Sequence, residues 1–116
     1  MKEINRNISR NISNYMDTLN VTQTELSKLL DCSNTTISMW IQGNSTPRMD
    51  KIDKMCEIFH CTRQDLLRDT PKTKEEIEED QIIASFAKMF KEFDAEHRLR
   101  VIAYMQKLGE DNEKKI

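Results

Sequence analysis

Glycine and proline are scarce in this chain, which has two of each among 116 residues. Their scarcity, together with a charged fraction of 33%, favours an all-helical protein. The chain also lacks an apolar run of about 18 residues and a basic-then-apolar amino terminus. We therefore expect neither a membrane span nor a secretory signal, and we predict that the protein stays in the cytoplasm.

Cysteine is also rare in the sequence. Cys32, Cys56 and Cys61 cannot all pair within one chain, and their spacing lacks the C-x-x-C pairs that are typical of a zinc site. We therefore predict that all three are reduced residues of the core and that the chain binds no metal.

Residue patterns typical of catalytic sites are lacking as well. His60 and His97 have no neighbouring residue that would suggest a catalytic dyad. The glycines, Gly43 and Gly109, form no glycine-rich phosphate loop. The sequence therefore predicts a protein that is not an enzyme and that needs no cofactor.

Charge gives little guidance on a nucleic-acid partner. The net charge is −2, and residues 1–70 are neutral, with nine basic and nine acidic side chains. The acidic excess lies in the carboxy-terminal part. Because binding depends on the local placement of Lys and Arg, the bulk charge neither supports nor excludes it. Near the amino terminus, Lys2, Arg6 and Arg10 either touch phosphate or form a solvated helix face.

Apolar side chains recur at helical spacing in five places within the first 70 residues. Polar residues able to cap a helix precede three of these segments, in two cases as a capping box with an acid three residues later. Glycine follows the third segment, as expected just past a helix terminus. The predicted boundaries are a first helix over residues 4–19, a second from Gln23 to about Leu30, a third from Ser33 to Gly43, a fourth after the turn at residues 44–47, and a fifth after Thr62.

A tight turn joins the second and third predicted helices, which is the arrangement of a helix-turn-helix. From Gln23 the unit reads QTELSKLLDCSNTTISMWIQG. Ser27 is small where the two helices must cross, and Ile37 and Trp40 plug the core from the second of them. In these residues, and in the TPRM and TRQDLL segments that follow, the sequence resembles the Cro/CI-type (XRE-like) repressor family.

This resemblance implies a five-helix, lambda-repressor-like DNA-binding domain at residues 1–70, with double-stranded DNA as its partner. Two positions depart from the family pattern. Ser27 stands where the family usually has Ala, and its hydroxyl needs a partner in the helix backbone. Asp31 stands where Gly is usual, at a position expected to be left-handed, a conformation that Asp tolerates.

The third predicted helix is rich in residues that prefer caps and turns to helix interiors. If its apolar residues face the core, the opposite face presents Asn34, Thr35, Ser38, Met39 and Gln42. Asn and Gln can bond adenine, Ser and Thr can bond most base edges, and a Met or Thr methyl can pack on a thymine methyl. This choice of residues against helix propensity indicates a surface that reads bases.

The family resemblance also implies a role for each candidate residue. By this resemblance Asn34, Thr35 and Met39 read bases, and Thr36 and Ser38 lie close to the groove wall as further base-reading residues. The phosphate contacts that it implies are Gln23, Gln42, Asn44 and Arg48.

The last third of the chain follows a different pattern. Residues 71–80 are acidic, and they form either a solvated linker or the start of a helix. In residues 81–116, two apolar stripes predict a helical hairpin that cannot bury both faces alone. The stripes dock either on the amino-terminal domain or on a second copy of the chain, and we expect the second copy. The predicted dimerisation residues are Ile83, Phe86, Phe90, Ile102 and Met105.

Together these features predict a transcriptional repressor of the phage or mobile-element type. Because many members of the family dimerise, we expect a homodimer on a palindromic operator with half-sites about one helical turn apart. An alternative is an antitoxin that autoregulates through the same DNA-binding domain and binds its toxin with the carboxy-terminal region. A protein antagonist is expected in either case, as an antirepressor, a protease or a toxin.

Overall fold

The computed structural model describes residues 3–114, with side-chain detail for residues 5–110. Lys2, a candidate phosphate contact, lies outside the described residues. Within the described range the chain has seven helices and no strand, which confirms the predicted all-α class. None of these helices combines the length and the apolar character needed to cross a membrane. The helices are α1 (Glu3–Leu19), α2 (Gln23–Leu30), α3 (Asn34–Ile41), α4 (Met49–Phe59), α5 (Arg63–Leu67), α6 (Lys74–Glu92) and α7 (Ala95–Lys114).

Side-chain caps explain where the short helices begin. The Thr22 hydroxyl accepts from the backbone N–H of Glu25 at 3.1 Å, and the Glu25 carboxylate accepts from the Thr22 N–H at 3.2 Å. Thr62 and Asp65 make the same reciprocal bonds at 3.2 and 3.0 Å. Both predicted capping boxes are therefore present, and they fix the first residues of α2 and α5.

Helices α1 to α5 enclose one hydrophobic core. The Tyr15 ring of α1 stacks on the Phe59 ring of α4 with their centroids 5.2 Å apart. Complete burial of an apolar side chain of this size stabilises a fold by about 1.5–3 kcal/mol. The core comprises Ile8, Ile12, Tyr15, Met16, Leu26, Leu30, Ile37, Trp40, Ile52, Met55, Phe59, Leu66 and Ile77.

The three cysteines lie at the margin of this core. Cys32, Cys56 and Cys61 are free and half-buried, and each packs against core residues. Burial raises the pKa of all three thiols above the ordinary value. Because the thiolate is the reactive form, these cysteines act as packing residues rather than nucleophiles.

Asparagine side chains on α1 hold the chain that follows α5. Asn11 is 1% exposed, and its amide donates to the carbonyl oxygens of Leu66 at 2.8 Å and Arg68 at 2.9 Å. The Asn14 amide donates to the Lys72 carbonyl at 2.8 Å. The backbone leaving α5 is thus bonded to α1 up to the residue before α6.

The first turns of α6 join the amino-terminal core. Ile77 is fully buried within it. The Lys72 ammonium lies 2.6 Å from a carboxylate oxygen of Asp80 and 3.3 Å from one of Asp65. Burial alone lowers the pKa of Lys72, but its bonds to the two carboxylates outweigh burial and leave the pKa raised. The acidic segment before residue 81 therefore contributes buried and ion-paired residues.

The chain divides into two compact units, Met1–Ile82 and Ile83–Ile116. The second unit contains the end of α6 and the whole of α7. No side chain is buried between residue 83 and residue 110, the part of this unit whose side chains are described. Phe90 is its largest half-buried residue, with its ring centroid 6.0 Å from that of Phe86. The second unit therefore has no apolar core of its own in the single chain.

Candidate functional site

The turn between α2 and α3 reverses the chain through backbone hydrogen bonds. Asp31 has φ 54° and ψ 54°, so the predicted left-handed conformation is present. Cys32 then donates its N–H to the Ser27 carbonyl at 3.0 Å, which closes the end of α2. The Ser27 hydroxyl donates to the Thr24 carbonyl at 2.7 Å. Both departures from the family pattern are therefore accommodated locally.

A cap and two buried side chains hold α3 in place. The Ser33 hydroxyl accepts from the Thr36 N–H at 3.1 Å, as predicted. Ile37 is fully buried and Trp40 is 5% exposed. A side-chain cap stabilises a helix by about 1 kcal/mol, which offsets part of the poor helix propensity of the residues that follow it. The inner face therefore fixes α3 and leaves the outer face free of packing duties.

The outer face of α3 presents three of the predicted base-reading residues together. Asn34, Thr35 and Met39 are all exposed, with Met39 at 41%. In the described part of the chain, none of these side chains hydrogen-bonds to another residue. No residue of α3 carries a charge, so nothing on this helix repels a phosphate backbone. The face is thus solvent-accessible, polar at one end and apolar at the other.

Thr36 and Ser38 lie beside that face and are only partly exposed. The Thr36 hydroxyl is 2.9 Å from that of Ser33. Thr36 also lines a cleft of about 340 Å³. The structure therefore places Thr36 toward α4 and Ser38 toward the end of α3. The cleft is lined by Cys32, Thr36, Trp40, Thr46, Arg48, Asp50 and Lys51.

The four predicted phosphate contacts are all exposed. Gln23 is the first residue of α2, and Arg48 is the N-cap of α4, where it makes no side-chain capping bond. Gln42 and Asn44 follow α3, and the Asn44 amide donates to the Gln42 side-chain oxygen at 3.1 Å. These residues stand at the ends of three helices, where backbone N–H groups and the helix dipole favour anions at N-termini.

Arg10 makes hydrogen bonds within the protein. Its guanidinium donates to the carbonyl oxygen of Arg68 at 3.1 Å and also to that of Asp69. Sequence reasoning missed this bond and a second one, in which the Ser9 hydroxyl donates to the Ile41 carbonyl. The second bond connects α1 to the last residue of α3. Polar residues interleaved with the apolar stripe of α1 were the available signal for both.

The predicted dimerisation residues form a second candidate surface. Ile83 is 63% exposed, Phe86 and Ile102 are each 42% exposed, and Met105 is 52% exposed. Phe90 is half-buried. Large apolar side chains are rarely left so exposed in a row on a protein that acts alone. This unit therefore offers an apolar surface that a protein partner can cover.

Comparison with known proteins gives one family and one structural neighbour. A model of the Cro/C1-type HTH DNA-binding domain matches residues 11–72, more than half of the chain. The fold is similar to the crystal structure of a transcriptional regulator from Listeria innocua, with a TM-score of 0.52 and 14% identity over 87% of this chain and 91% of that one. At this identity the similarity concerns the fold alone. No curated protein matches the sequence.

Proposed function

The chain belongs to the Cro/C1-type HTH DNA-binding domain family, and from that premise we propose that it is a transcriptional repressor that binds a palindromic operator as a homodimer. One observation carries the proposal. Ile37 and Trp40 fix the inner face of α3 in the core, while Asn34, Thr35 and Met39 stand exposed on its outer face. Such a helix has the form needed to enter a major groove.

In the proposed complex, α3 lies in the major groove and α2 crosses the backbone beside it. The Asn34 amide suits the paired acceptor and donor of adenine, and the methyl groups of Thr35 and Met39 suit the methyl of thymine. Gln23 and Arg48 bind flanking phosphates, which set the register but carry no sequence information. Repression follows from occupancy of the promoter, so the mechanism uses no cofactor.

The second copy enters through the exposed apolar residues of α6 and α7. One domain on one half-site makes few base contacts and binds weakly. Two linked domains multiply these contacts, because the second binding event becomes intramolecular. A two-fold dimer also requires an inverted repeat, with half-sites about 10 base pairs apart or at a multiple of that spacing.

Selection from randomised duplex DNA tests the reading surface. The full chain and its Asn34→Ala/Thr35→Ala/Met39→Ala variant are each taken through binding, recovery and sequencing at two salt concentrations. We expect the natural chain to enrich an inverted repeat and the variant to enrich none, since loss of base contacts leaves only salt-sensitive phosphate binding. Because all three side chains are exposed, the variant keeps its fold, and circular dichroism checks this.

Enrichment of the same sequence by the variant would contradict the proposed reading surface. If the natural chain enriches no sequence, the proposed repressor function itself is wrong.

A further inference from the structure

Three polar side chains at the end of α3 form a hydrogen-bonded chain with a fixed direction. The Asn44 amide donates to the Gln42 side-chain oxygen at 3.1 Å, and the Gln42 amide donates to the Ser38 hydroxyl oxygen at 3.2 Å. We propose that Gln42 and Asn44 are positioning residues that make Ser38 a hydrogen-bond donor toward DNA. This inference rests on the proposed function and deepens it by assigning a base preference to Ser38.

The direction of the chain follows from what each group can offer. An amide has a donor end and an acceptor end, so a bond from Asn44 to the Gln42 oxygen turns the Gln42 N–H groups toward Ser38. A hydroxyl has one hydrogen and two lone pairs. Because one lone pair of Ser38 already accepts from Gln42, the Ser38 hydrogen points away from Gln42.

That hydrogen has no acceptor among the described residues. A serine inside a helix commonly donates to the carbonyl three or four residues earlier. Ser27 does so, at 2.7 Å from the Thr24 carbonyl. Ser38 makes no such bond, and it is partly exposed beside Met39 on the outer side of α3. Its donor is therefore left for a ligand.

Backbone geometry holds the far end of the chain in place. Gly43 has φ 76°, a left-handed conformation that glycine adopts without strain. It donates its N–H to the Trp40 carbonyl at 3.1 Å, and the Asn44 N–H donates to the Met39 carbonyl at 2.9 Å. This pair of bonds is a Schellman motif, which returns the backbone over the last turn of α3. Asn44 is thereby brought back to Gln42.

The chemistry of base edges converts this direction into a preference. In the major groove, guanine N7 and O6 and thymine O4 are acceptors, whereas the cytosine N4 amino group is a donor. A donor at Ser38 therefore favours guanine or thymine over cytosine at one operator position. One neutral hydrogen bond accounts for a preference of about three- to tenfold. The second N–H of each amide remains available for phosphate.

Base-preference profiles of four variants of the full chain test the proposal by selection and sequencing. Ser38→Ala removes the donor, and Gln42→Met keeps the length of the side chain but frees the Ser38 hydroxyl to rotate. We expect both to reduce the preference at a shared position to less than about twofold. Gln42→Glu presents only acceptors, so the Ser38 hydrogen turns inward and cytosine becomes the favoured base there. Arg48→Ala, the control, weakens binding to all sequences without changing the profile.

An unchanged profile in Ser38→Ala would show that Ser38 reads no base. A profile changed by Ser38→Ala but not by Gln42→Met or Gln42→Glu would show that Gln42 does not position it. Either result overturns the inference while leaving the repressor function intact, because the natural chain still selects an operator. Absence of any enriched sequence with the natural chain overturns the repressor function and the inference together.

Discussion

Asn11 is nearly inaccessible to solvent, yet its side-chain amide donates to two backbone carbonyls more than fifty positions along the chain. The carbonyls, those of Leu66 and Arg68, lie at the end of α5, where no further helical turn supplies donors. A buried carbonyl without a donor costs about 1–3 kcal/mol. One polar residue of α1 therefore completes the end of another helix.

Replacement of Asn11 by Leu tests this role at the scale of a single residue. Leucine has a similar volume but no donor, so we expect the free energy of unfolding to fall by about 1–3 kcal/mol. Urea unfolding followed by circular dichroism measures the loss. Asn7→Leu is the matched control, because the Asn7 amide makes a longer, part-buried bond of 3.4 Å to the Leu67 carbonyl. An equal loss in both variants would show that the buried bonds of Asn11 have no special weight.

Residue roles differ in how far the sequence predicts them. The exposed face of α3 follows from helical periodicity once Ile37 and Trp40 are placed inside, and the structure exposes the residues expected there. The partners of Ser9, Asn11 and Arg10 lie far away in the sequence. Such partners depend on how helices are packed, and no local pattern encodes them.

Helix boundaries show the same division at the next scale. The caps of α2, α3 and α5 are local features, and their predicted positions are confirmed. The start of α6 was left open, although Thr73 and Glu76 form a capping box with bonds of 3.1 and 3.3 Å. Charge repulsion within the acidic run obscured this signal. The burial of Ile77 was unpredictable, because it requires a core built by other helices.

Lys72 provides a test at the scale of elements, since it joins α5 to the start of α6. Burial alone raises the pKa of Asp65, but bonds from Thr62 and Lys72 outweigh burial and leave the pKa lowered. A lowered carboxyl pKa stabilises the fold above the ordinary pKa, and this stabilisation is lost as the pH falls through the lowered value. The raised pKa of Lys72 likewise stabilises the fold below its ordinary value and is lost at strongly alkaline pH.

We therefore expect Lys72→Met to lower the free energy of unfolding by about 1–2 kcal/mol at neutral pH. The difference from the natural chain should shrink at about pH 3, where the carboxylates take up protons. Urea unfolding at both pH values measures it. Lys74→Met is the control, because Lys74 is 68% exposed and lies 3.9 Å from Glu78. A difference that is the same at both pH values would assign the effect to packing of the lysine stem.

The molecule as a whole combines a unit with a complete core and a unit without one. We expect sedimentation equilibrium at micromolar concentration to give twice the chain mass of 13.7 kDa. Phe86→Glu and Ile102→Glu should each shift the protein to monomer, because a buried unpaired carboxylate opposes association. Leu29→Glu is the control, since Leu29 is 54% exposed but lies on α2.

A natural chain that sediments only as a 13.7 kDa species would contradict the proposed homodimer. That result would favour the antitoxin alternative, in which a different protein covers the apolar surface of α6 and α7. A dimer that persists in both Glu variants would place the interface elsewhere on the chain.

Helix α3 keeps its two duties on separate sides. Asn34, Thr35 and Met39 make no side-chain hydrogen bonds within the described chain, so their replacement leaves the caps and the core of the helix unchanged. Mutations that alter target choice are therefore decoupled from mutations that alter folding. After a gene duplication, two copies can acquire different targets through a few codon changes while both remain foldable. A genome can in this way accumulate regulators of this type that do not interfere with one another.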